Sequence, residues 1–340
     1  MVYIVYKLII IKMKKIFLSL LALLILSSCT GLTKVEDGPK IEEENKKINI
    51  TTSIIPLASI SNYIGWDYVN ASSLVPVWVS SHWYDMKANQ MVKVQDSDLI
   101  VYLWLDHIDW FLEKALNEDN KYIKVAEWIT LIEWEEHNHE YEDENHNEEH
   151  ENEHGHEDEH EDENHDEESH TIDPHVWTSS KNAILIAEKI TNELVSIDSK
   201  NADYYKNNLD KFTNELNTIK NDFIQKNNNL NQKEFIIFHD AYNYLFEELS
   251  IKQENKLIFQ SNVLSDPNSK EMKELVDEIN LHWINIAYKE PQLNDSNLQM
   301  IANEYNIRVE VLNPLWDDES KDWYINNYKN NLQNLEYIYE

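Results

Sequence analysis

The chain has 340 residues, 42% of them hydrophobic, enough to build the cores of two ordinary domains and too many for a disordered acidic chain. Its 29 basic and 63 acidic residues leave a formal charge of -34, which repels phosphate backbones, argues against nucleic acid as a partner and suits a cationic ligand. One cysteine excludes a disulfide framework and every multi-cysteine metal cluster, so a metal would have to be held by His, Asp, Glu or Asn, with 14 His available.

At the amino terminus, Lys14 and Lys15 precede the apolar run Ile16–Leu26, which ends in Ser27-Ser28-Cys29. The run is too short to span a bilayer comfortably, and the small residues before Cys29 fit a cleavage site. The pattern resembles a bacterial lipoprotein signal over 1–29, starting at Met13. That resemblance implies acylation of Cys29 and an extracytoplasmic protein held to the cell membrane by its lipid. The other reading is an uncleaved membrane helix enlarged by Tyr3–Ile11. Residues 30–47 are polar and charged and read as a tether.

From Ile48 onward, short β-rich runs alternate with helical patterns. The first set of strands is expected at 48–54, 72–76, 98–103 and 122–126, and the second at 234–239, 256–260, 284–289 and 307–312. Helices are expected at about 180–196, 240–249, 269–280 and 295–305. This alternation predicts an α/β fold of two lobes, 48–202 and 229–340, each a roughly four-stranded parallel sheet flanked by helices. Between the lobes, Leu209, Phe212, Leu216, Ile219 and Phe223 recur at spacings of three and four, the stripe of one long helix over 203–228 with Asp203 as a plausible N-cap. The stripe fits either a stiff connection between lobes or packing within one. Glu133–His170 holds nine His and twenty acidic residues without Lys or Arg. Such a segment buries no core and reads as a mobile loop.

Five histidines lie outside this loop, and three stand where an open α/β sheet binds ligands. His239 ends the strand of EFIIFH, His175 follows Asp173-Pro174 before a helix, and His82 follows the strand and loop LVPVWVSSH. His107 and His282 have no such context and read as ordinary, partly exposed side chains.

SLVP…SSHWYD at 73–85, DPHVW at 173–177, FHDAY at 238–242, YKEPQ at 288–292 and LNPLW at 312–316 resemble, in order and spacing, the landmarks of the zinc and manganese substrate-binding lipoproteins of ABC importers. That resemblance runs from about residue 48 to the end. It implies one ion between two lobes joined by a long rigid helix, held by His82, His175, His239 and a fourth ligand. The family's usual Asp is Asn313 here, and losing that carboxylate leans toward Zn2+, with Mn2+ the alternative. The fourth position is open between Asn313, a water and a loop histidine, and Asn313 could equally hydrogen-bond a metal-bound water. Glu290, which follows a strand near the cleft, reads as a structural carboxylate or one just behind the site. The implied partners are an ABC permease and its ATPase, with the protein itself a monomer. In the loop, His137, His139, His146, His150, His154, His156, His160, His165 and His170 read as an accessory, weaker metal-capture tract, because a flexible chain loses entropy on binding.

Glycine is scarce: average usage of roughly 7% would give about 24, and the chain has 4, beside 11 Trp. Trp66, Trp78, Trp104, Trp128 and Trp316 fall where the resemblance leads one to expect glycine, which suggests UGA codons read as Gly by the source organism. An AT-biased genome poor in Gly is the other explanation. Trp177 stands where the family carries an aromatic residue. A secreted zinc hydrolase could also use three His and an open position, but HExxH and GxSxG are absent and no general base is obvious. The reading is therefore a binding protein rather than an enzyme. A third reading is a surface metal buffer or adhesin dominated by the loop.

Overall fold

The computed structural model describes residues 46–77, 79–82, 84–105, 108–134, 171–260, 267–314 and 318–340. β1 (Ile48–Thr52), β2 (Val69–Ser73), β3 (Leu99–Tyr102) and β4 (Tyr122–Lys124) form a wholly parallel sheet in the order β2-β1-β3-β4. Parallel strands covered on both faces need consecutive apolar residues. β3 reads Leu99-Ile100-Val101-Tyr102, and all four are buried.

α1 (Ile55–Gly65), α2 (Ala88–Gln95) and the short α3 (Trp110–Glu113) are the helices of this first half. Pro56 sits in the opening turn of α1, where its missing N–H costs nothing, and nearly all of that helix is buried. β2 lies three residues earlier than the expected 72–76. Leu74 and Val75 continue its ladder only as single bonds to Thr52 and Ser53, at 2.8 and 3.2 Å, and Pro76, with no N–H, ends it.

A two-stranded antiparallel pair, β5 (Glu133–Trp134) with β6 (Thr171–Ile172), closes the ends of the acidic segment. Glu133 and Trp134 therefore belong to a strand and not to the loop expected from Glu133 onward. Residues 135–170, with the nine loop histidines, lie outside the described residues. So do residues 1–45, with Cys29.

α4 (Ser180–Ile197) starts on Ser179, whose Oγ accepts from the Asn182 N–H at 3.3 Å. α5 (Ala202–Asn227) then runs 26 residues, about 39 Å at 1.5 Å per residue. Asp203 lies in its first turn; the cap position belongs to Asn201, the last residue of a turn of 3₁₀ helix at Ser199–Asn201. The apolar stripe faces the core as expected, with Phe212, Leu216 and Phe223 buried and Leu209 and Ile219 partly so. Phe212 meets Tyr63 of α1 with ring centroids 5.1 Å apart, and further along the same helix Phe223 meets Tyr339 at 6.0 Å. The helix thus spans from the first half of the chain to its carboxyl end.

The second parallel sheet comprises β7 (Phe235–Ile237), β8 (Lys256–Ile258), β9 (Ile286–Lys289) and β10 (Arg308–Val311) in the order β10-β9-β7-β8. Its helices are α6 (Asn243–Leu249), α7 (Ser269–His282), α8 (Ser296–Tyr305) and α9 (Trp323–Leu335). Side chains along β7 alternate between two cores. Phe235 and Ile237 join the large cluster shared with the first sheet, and Ile236 and Phe238 join a smaller one with Leu275, Ile279 and Leu298. The second sheet is therefore covered on both faces. Among the described residues, no helix is long and apolar enough to cross a membrane.

Candidate metal centre

In the second sheet the chain steps from β7 outward to β8 and then crosses back to β9 on the other side of β7, so β7 and β9 flank the point where strand order reverses. Crevices at the carboxyl ends of such strands are where open α/β sheets hold ligands. His239 lies two residues beyond β7 and Glu290 directly beyond β9. His82 comes from the loop after β2, and His175 from the Asp173-Pro174 turn after β6.

These three imidazoles converge. One ring nitrogen of each lies within 4.8 Å of the other two, the one such grouping of His, Cys, Asp or Glu found among the described residues. His82, His175 and His239 are 7%, 0% and 3% exposed. The Nε2 atoms of His82 and His175 are 3.2 Å apart. Nitrogens bound at the usual zinc distance to one tetrahedral ion stand about 3.3 Å from each other. The rings are tilted or edge-on to one another, at 57°, 89° and 67°, so they surround a point instead of stacking.

Two buried carboxylates fix which nitrogen faces inward. The Asp173 carboxylate engages His175 Nδ1 at 2.8 Å and also accepts from the His175 backbone N–H at 2.9 Å. Its second oxygen accepts from Asn243 Nδ2 at 3.1 Å. Glu290 closes on His239 Nδ1, and its other oxygen accepts from Gln292 Nε2 at 2.8 Å. A carboxylate on Nδ1 leaves Nε2 as the lone-pair donor and makes it more basic. His239 Nε2 is buried and finds no hydrogen-bond partner among the described residues. An orphaned acceptor of this kind costs free energy unless something binds it, and a cation with nitrogen affinity fits that position. Burial alone would hold the His239 imidazole down, but Glu290, with Asp240 and Asp173 beyond it, outweighs burial and lifts the ring above its ordinary 6.5.

Asn313 is buried, and its segment is tied to both neighbouring histidine segments. Tyr242, three residues after His239, donates to the Leu312 carbonyl at 2.9 Å. Trp177, two residues after His175, donates from Nε1 to the Pro314 carbonyl at 2.8 Å. From α9, Asn331 Oδ1 accepts from the Asn313 N–H at 2.9 Å, while Asn327 and Asn331 amides donate to its carbonyl at 2.9 and 2.8 Å.

His282 stays apart from this centre, partly exposed between Glu234 and Glu278 at 2.8 and 3.2 Å. His107, Trp78 and Trp316 lie outside the described residues. Sequence reasoning names Glu290 but assigns no role to Asp173, Gln292, Asn327 or Asn331. The available signal for Asp173 is its place two residues before His175, close enough for a turn to fold one side chain onto the other. The two Asn of α9 carry no local signal.

Residues 50–337 match the family model described as zinc-uptake complex component A, periplasmic. The chain is 26% identical over 336 residues to the zinc-binding lipoprotein AdcA of Streptococcus pneumoniae, a match covering 95% of this chain and 60% of AdcA. It therefore spans about three-fifths of that relative's length. To the high-affinity zinc uptake system protein ZnuA of Haemophilus influenzae it is 32% identical over 291 residues, covering 79% of this chain and 86% of the relative. A crystal structure of ZnuA superposes with a TM-score of 0.66 at 26% identity, over 85% of this chain and 97% of that one.

Proposed function

From the chain's membership of the zinc-uptake complex component A family, we propose that it captures one Zn2+ outside the cytoplasmic membrane and presents it to an ABC permease driven by its ATPase. His82, His175 and His239 bind the ion through nitrogen. Asn313 supplies the fourth position, through its side-chain oxygen or a water that it holds. The chain acts as a monomer anchored through Cys29, with 48–202 and 229–340 as its lobes. The loop histidines His137 to His170 collect ions at lower affinity and pass them to the cleft.

The observation that carries this reading is the convergence of three buried imidazoles with one Nε2 left unpaired. Zn2+ rather than Mn2+ follows from the donor set. Neutral nitrogen suits a borderline-soft ion, and among the described residues no carboxylate belongs to the convergent group. Charge is balanced one shell further out, where Asp173 and Glu290 face a divalent cation through the imidazoles. Both carboxylates are committed to imidazole Nδ1 atoms, which supports binding over hydrolysis, since neither is placed to activate water. Titration calorimetry with Zn2+ and Mn2+ on the chain without residues 1–28 tests this. One tight Zn2+ per chain is the expected result, and tighter Mn2+ binding would refute the choice of ion.

A further inference from the structure

Among the described residues, five that are not glycine take a positive φ, and three of these are tryptophans: Trp66 at 41°, Trp104 at 66° and Trp283 at 56°. The other two are Ser250 and Asn306; Asn is among the few residues that tolerate this region. For a bulky L side chain it is a genuine outlier, because Cβ is driven against the backbone.

Each site has the geometry that glycine ordinarily fills. Trp66 pairs its φ with ψ -105° after the end of α1, near the first central residue of a type II′ turn. Trp283 has ψ 40° and caps α7, its N–H donating to the Ile279 carbonyl, the left-handed helix end at which Gly predominates. Trp104 follows β3 in a turn that wraps three consecutive N–H groups, those of Leu103, Trp104 and Leu105, onto the Asp109 carboxylate at 2.6, 3.3 and 3.2 Å.

No core burial offsets the strain. Trp66, Trp104 and Trp283 are 40%, 48% and 87% exposed. Lys321 and Lys124 sit over the first two rings, a weak attraction at exposed sites. The Trp104 Nε1 also donates to Glu113 at 3.0 Å, an exposed hydrogen bond in which water competes. Trp177 is the contrast, fully buried with its Nε1 donated to the Pro314 carbonyl.

We propose that positions 66, 104 and 283 are glycine in the protein its source cell makes, each encoded by a UGA codon that this cell reads as glycine. Backbone geometry thereby adds Trp283, which sequence reading does not single out; Trp128 has no positive φ and is not part of this inference. The inference holds whatever ion the cleft binds.

Peptide mass mapping of the protein purified from its own cells tests this, with the Trp177 peptide as internal reference. The peptides spanning 66, 104 and 283 should each be lighter than the tryptophan form by one Trp-to-Gly difference, and the Trp177 peptide should keep its indole. Tryptophan at these three positions, or UGG codons there in the gene, would overturn the proposal. In a laboratory host, the Trp66→Gly/Trp104→Gly/Trp283→Gly variant should unfold at higher temperature than the all-tryptophan chain, while Trp177→Gly unfolds lower. A lower midpoint for the triple variant would contradict the strain on which the inference rests.

Discussion

His82 Nε2 and His175 Nε2 stand 3.2 Å apart, although 93 residues separate them in the chain. Two neutral rings at that distance share at most one proton, so the contact is a single hydrogen bond that a bound cation replaces with two nitrogen ligands. His239 closes the same point from the second sheet, and its orphaned Nε2 has most to gain from the ion. His239→Ala is therefore expected to abolish tight Zn2+ binding while leaving the fold intact, since among the described residues the ring hydrogen-bonds to Glu290 and otherwise meets the other two imidazoles of the site. Calorimetry and circular dichroism on the same sample check both halves of the statement.

Glu290 orients His239 without belonging to the convergent donors. Glu290→Gln keeps the shape and a hydrogen bond but removes the charge that makes Nε2 basic. Loss of such an outer partner typically costs 10- to 100-fold in metal affinity, about 1.4–2.7 kcal/mol at 1.36 kcal/mol per decade. Competition with a chelating dye measures this, and unchanged affinity would remove Glu290 from the account.

Acid should release the ion, because zinc needs the His239 lone pair that a proton also takes. The ring's pKa is raised above 6.5 in the folded protein. In the metal-free chain this group's stabilisation is fully present below the unfolded value and is lost as pH rises through the raised one. Zn2+ affinity runs the opposite way, beginning to fall above pH 6.5 as the solution is acidified. Affinity measured across the neutral range should show that early onset, and Glu290→Gln should move it to lower pH.

Asn313 is where the ion's identity is expected to be tuned. Its backbone is clamped by Asn327 and Asn331, so Asn313→Asp changes charge with little change of position. Carboxylate oxygen favours the harder ion. The variant should gain affinity for Mn2+ relative to Zn2+, by roughly tenfold if the carboxylate adds a full ligand's preference of about 1.4 kcal/mol. Paired titrations with the two ions read the ratio.

The α/β architecture is legible because strands such as Leu99–Tyr102 are continuous apolar runs and the α5 stripe repeats at helical spacing. The three histidines are legible because each stands at a strand or turn end. β2 is misplaced because its residues Val69–Ser73 are mostly polar. Their place in the sheet is supported from outside, with Asn62 bonding both the N–H and the carbonyl of Ala71 at 2.8 and 2.9 Å. The Asn313 clamp is invisible for a similar reason: Asn327 and Asn331 reach it only once α9 has docked. The positive φ of Trp283 is likewise a property of the folded helix end, with nothing in the neighbouring sequence to mark it.

The most direct test of the central claim removes residues 135–170 and joins β5 to β6 by a short turn, leaving the Glu133–Ile172 pairing in place. Native mass spectrometry and calorimetry should then find one Zn2+ per chain at the affinity of the full protein, lost again on His239→Ala. If the shortened chain binds no zinc tightly, or binds it equally well without His239, then the three imidazoles do not form the site and the account is wrong.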